Sequence, residues 1–131
     1  MNDLYREIIL DHYKNPRNFG KLSPFDAMAE KDNPLCGDEI TMYIAFTKAN
    51  GSMVQRVSAI KFSGVGCAIS MASASLLTEK IKGMKIKDLF ALSKDDIVDL
   101  LGTELTPARI KCALLPLEVI HTAIIHYEEK K

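Results

Sequence analysis

At 131 residues and 47% hydrophobic content, the chain is long enough to bury one core without disulfide or metal staples. Its 17 basic and 17 acidic residues cancel, which excludes a polycationic binder of nucleic acid or membrane surfaces, and the lack of Trp leaves few platforms for stacking bases. Three cysteines, an odd number, exclude a dense disulfide framework and suit a reducing, cytoplasmic setting.

The charged start, Met1 to Glu7, does not read as a signal peptide, and no apolar run approaches the length of a membrane span. One domain spanning 1–131 is expected. Residues 3–15 predict a helix, with Leu4, Tyr5, Ile8, Ile9 and His12/Tyr13 on one face and Asn15-Pro16 as the stop. Residues 16–36 read as loop with a short edge strand near Asp26 to Glu30. Ile40, Met42, Ile44 and Phe46 then alternate with Thr41, Tyr43, Ala45 and Thr47, the pattern of a half-buried strand.

Ala49-Asn50-Gly51-Ser52 predicts a hairpin turn, and 53–62 the returning strand, with Ile60 and Phe62 on one face and Val57 and Ala59 on the other. At Gly64-Val65-Gly66-Cys67 the period changes from two to helical, and 68–82 predict a helix with Gly83 as its C-cap. A short helix is expected over Ile86 to Leu92. Ser93 starts another with a capping-box pattern that has Asp96 where Glu is preferred, and Gly102 ends it. Thr106-Pro107 opens the last helix, and Pro116, which has no N–H for the carbonyl of Cys112, predicts a kink or break at 112–116.

The chemistry-bearing residues sit at element edges. Cys36 and Asp38 are two apart, so in extended backbone a thiolate and a carboxylate face the same way. Cys67 lies at a helix N-terminus, where the dipole favours thiolate, and Cys112 lies in the first turns of the last helix. Long stretches of chain separate the three, so this is no Cys-x-x-Cys zinc knuckle, and any shared site must be assembled by the fold. Two readings stand: three unrelated cysteines packed as small hydrophobes, or one metal site. His12, His121 and His126 fall on helices away from the cysteines and read as helix-face residues. No Gly-x-Ser-x-Gly, Walker or His-Glu-x-x-His motif is present.

Several motifs, in order, resemble the IscU/SufU/NifU N-terminal family of iron–sulfur cluster assembly scaffolds. They are Leu4 to Gly20 (LYREIILDHYKNPRNFG), Pro34-Leu35-Cys36-Gly37-Asp38, Gly66-Cys67-Ala68-Ile69-Ser70 followed by Ser73 to Glu79, and Arg109-Ile110-Lys111-Cys112. The resemblance spans essentially the whole chain. It implies an α+β fold, a small and mostly antiparallel three-stranded sheet packed on several helices, with the metal site at one exposed end.

The implied work is to accept sulfur from a cysteine desulfurase, assemble a labile [2Fe-2S] cluster and pass it to apo-proteins, as a carrier rather than an enzyme. By the same resemblance Cys36, Asp38, Cys67 and Cys112 are the ligands, and Cys112 the sulfur acceptor, which requires it to be accessible and partly thiolate. Iron is the implied metal, zinc its stand-in in the apo-scaffold, and the state a monomer or a cluster-bridged dimer.

The chain departs from the family pattern in four places. Lys111 stands where IscU proteins have histidine, which favours Asp38 as the fourth ligand and makes Lys111 a candidate modulator. Leu105 to Arg109 (LTPAR) replaces the IscU motif read by a dedicated Hsp70 chaperone, so that partner is not expected. The insertion of SufU proteins between the second and third cysteines is missing, and Pro116 is unusual in both groups. The alternative is a SufU-type zinc-dependent sulfurtransferase using the same four residues, and a structural metal module ranks third.

Overall fold

The computed structural model describes residues 3–34, 37–47, 54–102 and 105–130. Along the chain these form α1 (Asp3–Lys14), β1 (Ala27–Asn33), β2 (Asp38–Phe46), β3 (Val57–Val65), α2 (Ala68–Ile81), α3 (Ile86–Ala91), α4 (Lys94–Leu101) and α5 (Pro107–Glu129). The architecture is α+β: the strands form one antiparallel sheet in the order β1-β2-β3. Helix α5 packs on β1 and β2, α2 packs on β3 and α5, and α1 packs against α2 from the far side.

Strand β2 is central and more deeply buried than its alternation suggests. Ile40, Met42 and Ile44 are fully buried on the helix side, while Thr41 and Tyr43 are buried on the other, where Phe25 packs edge-on against Tyr43 at 5.6 Å between ring centroids. The expected edge strand is longer than its sequence signal and runs to Asn33. Its charged stretch Glu30-Lys31-Asp32 is exposed, which discourages edge-to-edge pairing. The outer edge of β3 is closed by loops. Gly20 N–H donates to the Phe62 carbonyl at 2.7 Å, and Gly83 N–H to that of Val57 at 2.9 Å.

Three local expectations are corrected. Val57 is buried on the same side as Ile60 and Phe62, because the register slips between Ala45 and Phe46 and leaves Ser58 as the extra residue of a bulge. Lys82 caps α2, and Gly83, at φ 85°, is the residue after the cap. Helix α5 runs unbroken through Pro116. The local cost of an interior proline is about 3 kcal/mol. Burial of Leu115, Leu117, Val119, Ile120 and Ile124 around it, at about 1.5–3 kcal/mol for each such side chain, outweighs that cost. The Ala49–Ser52 turn lies outside the described residues. Ser93 N–H donates to the Asp96 carboxylate at 2.8 Å, so the capping pattern forms with Asp in the glutamate position.

Helix α1 is held on α2 by a buried polar cluster. The Ser75 hydroxyl sits 2.7 Å from His12 Nδ1 and accepts from Arg17 N–H at 2.9 Å. The hydroxyl keeps its proton and a second lone pair for Nδ1, and the other ring nitrogen, Nε2, faces Glu79 Oε1 at 3.9 Å. Burial, chiefly, and then Arg17 hold the His12 pKa below the usual value; Glu79 and Asp11 oppose them. The unfolded chain therefore takes up the proton first as pH falls. The contribution of His12 is fully present above about pH 6.5, the unfolded value, and is lost as pH drops from there through the folded pKa. In metal-free protein, the urea midpoint of wild type should fall from pH 7.5 to pH 5.5 more steeply than that of His12→Gln; parallel profiles would remove His12 from the account.

Candidate metal centre

Because β2 and β3 run antiparallel with Glu39 opposite Val65, the first residue of β2 lies beside the residues that follow β3. Those residues are Asp38 on one side and Gly66-Cys67 on the other. Asp38 Oδ1 accepts the Cys67 N–H at 2.9 Å, so the carboxylate ties the two segments together. Cys67 is the N-cap of α2: the Ser70 N–H points at its Sγ from 3.5 Å, and the Ser70 hydroxyl donates to the Cys67 carbonyl at 3.1 Å. The thiol thus takes the place of a capping hydroxyl, and its sulfur faces a backbone donor at the positive end of a helix.

Cys112 arrives from α5. Ser73 on α2 donates its hydroxyl proton to the carbonyl of Ala113 at 2.6 Å, in the buried seam between the helices. One carboxylate oxygen of Asp38 and the sulfurs of Cys67 and Cys112 then lie within 4.8 Å of one another. Asp38 is 0% exposed and Cys112 1%, while Cys67 is half-buried; neither described cysteine is in a disulfide. The burial of Cys112 departs from the accessibility expected of a sulfur acceptor. Cys36 lies outside the described residues. Lys111 is exposed and lines a cavity of about 320 Å³ with Asp32, Asn33, Pro34, Leu115 and Glu118. The histidines stay away from the centre: His12 is on the α1–α2 seam, His121 Nε2 meets the Leu89 carbonyl at 2.8 Å, and His126 is exposed.

One atom in this arrangement lacks what burial requires. Asp38 Oδ2 is buried with no hydrogen-bond partner among the described residues. An unsatisfied carboxylate oxygen is costly away from water, and a cation held by Asp38, Cys67 and Cys112 would offset that cost. The donor set is soft sulfur plus hard oxygen, which suits zinc or iron–sulfur chemistry better than calcium or magnesium. The residues therefore fit a metal.

Sequence reasoning missed Ser70 and Ser73. Ser70 had a readable signal, because Cys67-x-x-Ser70 has the spacing of an N-cap and its third helical residue. The Ser73 contact had none, since it depends on how α5 crosses α2.

A family model described as the NifU-like N terminal domain matches residues 4–131. The chain belongs to this family. Its members here include relatives with different names. The chain is 39% identical over 145 aligned positions to the zinc-dependent sulfurtransferase SufU of Bacillus subtilis, covering 98% of this chain and 94% of that protein. It is 34% identical over 130 positions to the iron–sulfur cluster assembly scaffold protein IscU of Escherichia coli K12, covering 97% and 96%. Among solved structures, the family fold recurs in a candidate scaffold protein for the SUF system of Fervidobacterium islandicum AW-1. That structure has a TM-score of 0.72 at 28% identity, over 90% of this chain and 94% of the other. A NifU-like N-terminal protein from Brucella abortus shares the fold at TM-score 0.74 and 23% identity, over 98% and 97%.

Proposed function

We propose that this protein is a scaffold that accepts sulfur from a cysteine desulfurase, assembles a [2Fe-2S] cluster and transfers it to apo-proteins. The observation that carries this is a buried Asp38 carboxylate, one oxygen of which converges with the sulfurs of Cys67 and Cys112 while Oδ2 is unpaired among the described residues. Cys36, two residues before Asp38, completes the proposed ligand set. The cluster is cargo in this reading, and a hard carboxylate among soft thiolates makes one ligand position weaker than the others. The protein acts as a carrier, and its 131 residues are taken as one domain. No described helix is long and apolar enough to cross a membrane, and a cytoplasmic place of work is part of the proposal.

Sulfur transfer needs no redox partner. The Cys112 thiolate attacks the terminal sulfur of the desulfurase persulfide. A new S–S bond forms on Cys112, the old one breaks, and the desulfurase cysteine leaves as thiolate. Cys67, held by the Ser70 N–H, is suited to keep hold of metal rather than to attack.

A second reading, zinc-dependent sulfur transfer by the same residues, draws on the 39% identity to SufU and on Lys111 in the place of the IscU histidine. The alignments favour the scaffold. The 145 positions matched to SufU far exceed the 98% of the 131-residue chain they cover, so long gaps open in this chain, whereas the 130 matched to IscU exceed their 97% by only a few. Anaerobic purification followed by assay of iron, zinc and acid-labile sulfide separates the two, with cluster transfer to an apo-ferredoxin as the second step and Cys112→Ser as control. The scaffold reading expects iron and sulfide with visible charge-transfer bands, and transfer that Cys112→Ser lacks. Sulfur acceptance with zinc bound, and no cluster under any reconstitution, would overturn it.

A further inference from the structure

Cys112 is 1% exposed, yet a sulfur acceptor must be reached by another protein's persulfide. On the reading of Cys112 as acceptor, some element has to move. Helix α2 is held firmly. It joins α1 through Ser75 and His12 and joins the Asn18 side chain through Thr78 at 3.1 Å, while its N-cap is tied to β2 by Asp38. Helix α5 is unevenly held. Cys112, Ala113, Leu115, Pro116 and Leu117 are buried and the residues from Val119 to Ile124 include four that are fully so, whereas Pro107, Ala108, Arg109 and Lys111 at its start are exposed.

Pro116 lies one turn into the buried stretch, after Cys112. It has no N–H, so the helix's own rung from residue 116 to the carbonyl of 112 is missing from the turn that carries Cys112. In the same turn the Ser73 hydroxyl crosses from α2 to the Ala113 carbonyl, a short bond between buried groups.

We propose that Ser73 is a positioning residue for Cys112: its hydroxyl latches the 112–116 turn of α5 onto α2, and Pro116 weakens that turn so that releasing the latch brings Cys112 to the surface. The latched state places Cys112 beside Cys67 and Asp38 for holding cargo; the released state presents it for sulfur acceptance.

The test reads access rather than sulfur transfer, so it stands or falls separately from the scaffold reading. The full chain, with all three cysteines and a chelator present, is treated briefly with iodoacetamide, and alkylation of Cys112 and Cys67 is quantified on their peptides. Losing one buried hydrogen bond corresponds to about a tenfold shift in an opening equilibrium. Ser73→Ala should therefore raise the Cys112 rate about tenfold with Cys67 changed less than twofold. Pro116→Ala, which restores the helical rung, should lower the Cys112 rate several-fold and serves even if Ser73→Ala does not fold. Ser75→Ala removes a buried hydroxyl from the α1 side of α2, and should leave the Cys112-to-Cys67 ratio unchanged. A ratio that moves as much in Ser75→Ala as in Ser73→Ala, or that moves in neither Ser73→Ala nor Pro116→Ala, would overturn the proposal.

Discussion

Asp38→Asn should shift stability in opposite directions with and without metal. Asp38 is fully buried, Oδ1 accepts from Cys67 N–H, and Oδ2 has no partner among the described residues. Asparagine keeps an acceptor for Cys67 N–H and replaces the unpaired oxygen of a buried carboxylate with an amide donor. In metal-free protein the variant should be as stable as wild type or more stable, by about 1 kcal/mol, the scale of one net hydrogen bond.

With metal the sign reverses. A neutral amide is a poor substitute for an anionic ligand, and we expect about 100-fold weaker zinc binding, or about 2.7 kcal/mol. At zinc a thousandfold above the wild-type dissociation constant, metal stabilises wild type by about 4 kcal/mol but the variant by only about 1.4 kcal/mol. Urea unfolding in chelator and in buffered zinc measures both. If the apo variant loses as much stability as the zinc-bound one, Asp38 is a structural hydrogen-bonding residue and not a ligand.

The parts of this fold that could be read from sequence are those whose signal is local. Alternation in Ile40 to Phe46 marked β2, and Ser93 and Thr106-Pro107 marked helix starts, because period and capping depend on near neighbours. Strand β1 was only half-legible, since Glu30-Lys31-Asp32 carries the charge of an exposed edge rather than a buried alternation. Val57 was assigned to the wrong face because a bulge inverts the period and has no signature here. Pro116 followed its local rule only in part, since a well-buried helix absorbs one lost rung.

The centre was legible as residue types and illegible as geometry. The family motifs named Asp38, Cys67 and Cys112, but their approach to within 4.8 Å depends on the Glu39–Val65 register and on the α2–α5 crossing, both non-local. The burial of Cys112 and the latch by Ser73 follow from that crossing. Cys36, named by the same motifs, lies outside the described residues.

Gly64→Ala should be among the most damaging single substitutions, because it acts on the register that builds the centre. Gly64 has φ 129° and pairs with Ile40. A Cβ there would overlap the Glu39 carbonyl oxygen and come within 2.9 Å of the Glu39 carbonyl carbon, both backbone atoms of the neighbouring strand. No side-chain rotation relieves that contact, so β2 and β3 must separate where they deliver Asp38 and Cys67. Gly20 supplies the control. Its φ is 133°, nearly the same, and a Cβ there meets nothing within 4 Å. Gly20→Ala thus carries only the backbone strain of a positive φ, on the order of 1–2 kcal/mol. Gly64→Ala carries that strain plus the steric separation of two central strands, for a total above about 3 kcal/mol. Denaturant unfolding of both variants gives the difference. Zinc titration of whatever Gly64→Ala still folds should show binding weakened at least as much as in Asp38→Asn, because parting the strands moves Asp38 away from Cys67. Equal destabilisation by the two alanines would mean that the strands yield at Gly64 without cost, and that the β2–β3 register does not set the spacing of Asp38 and Cys67.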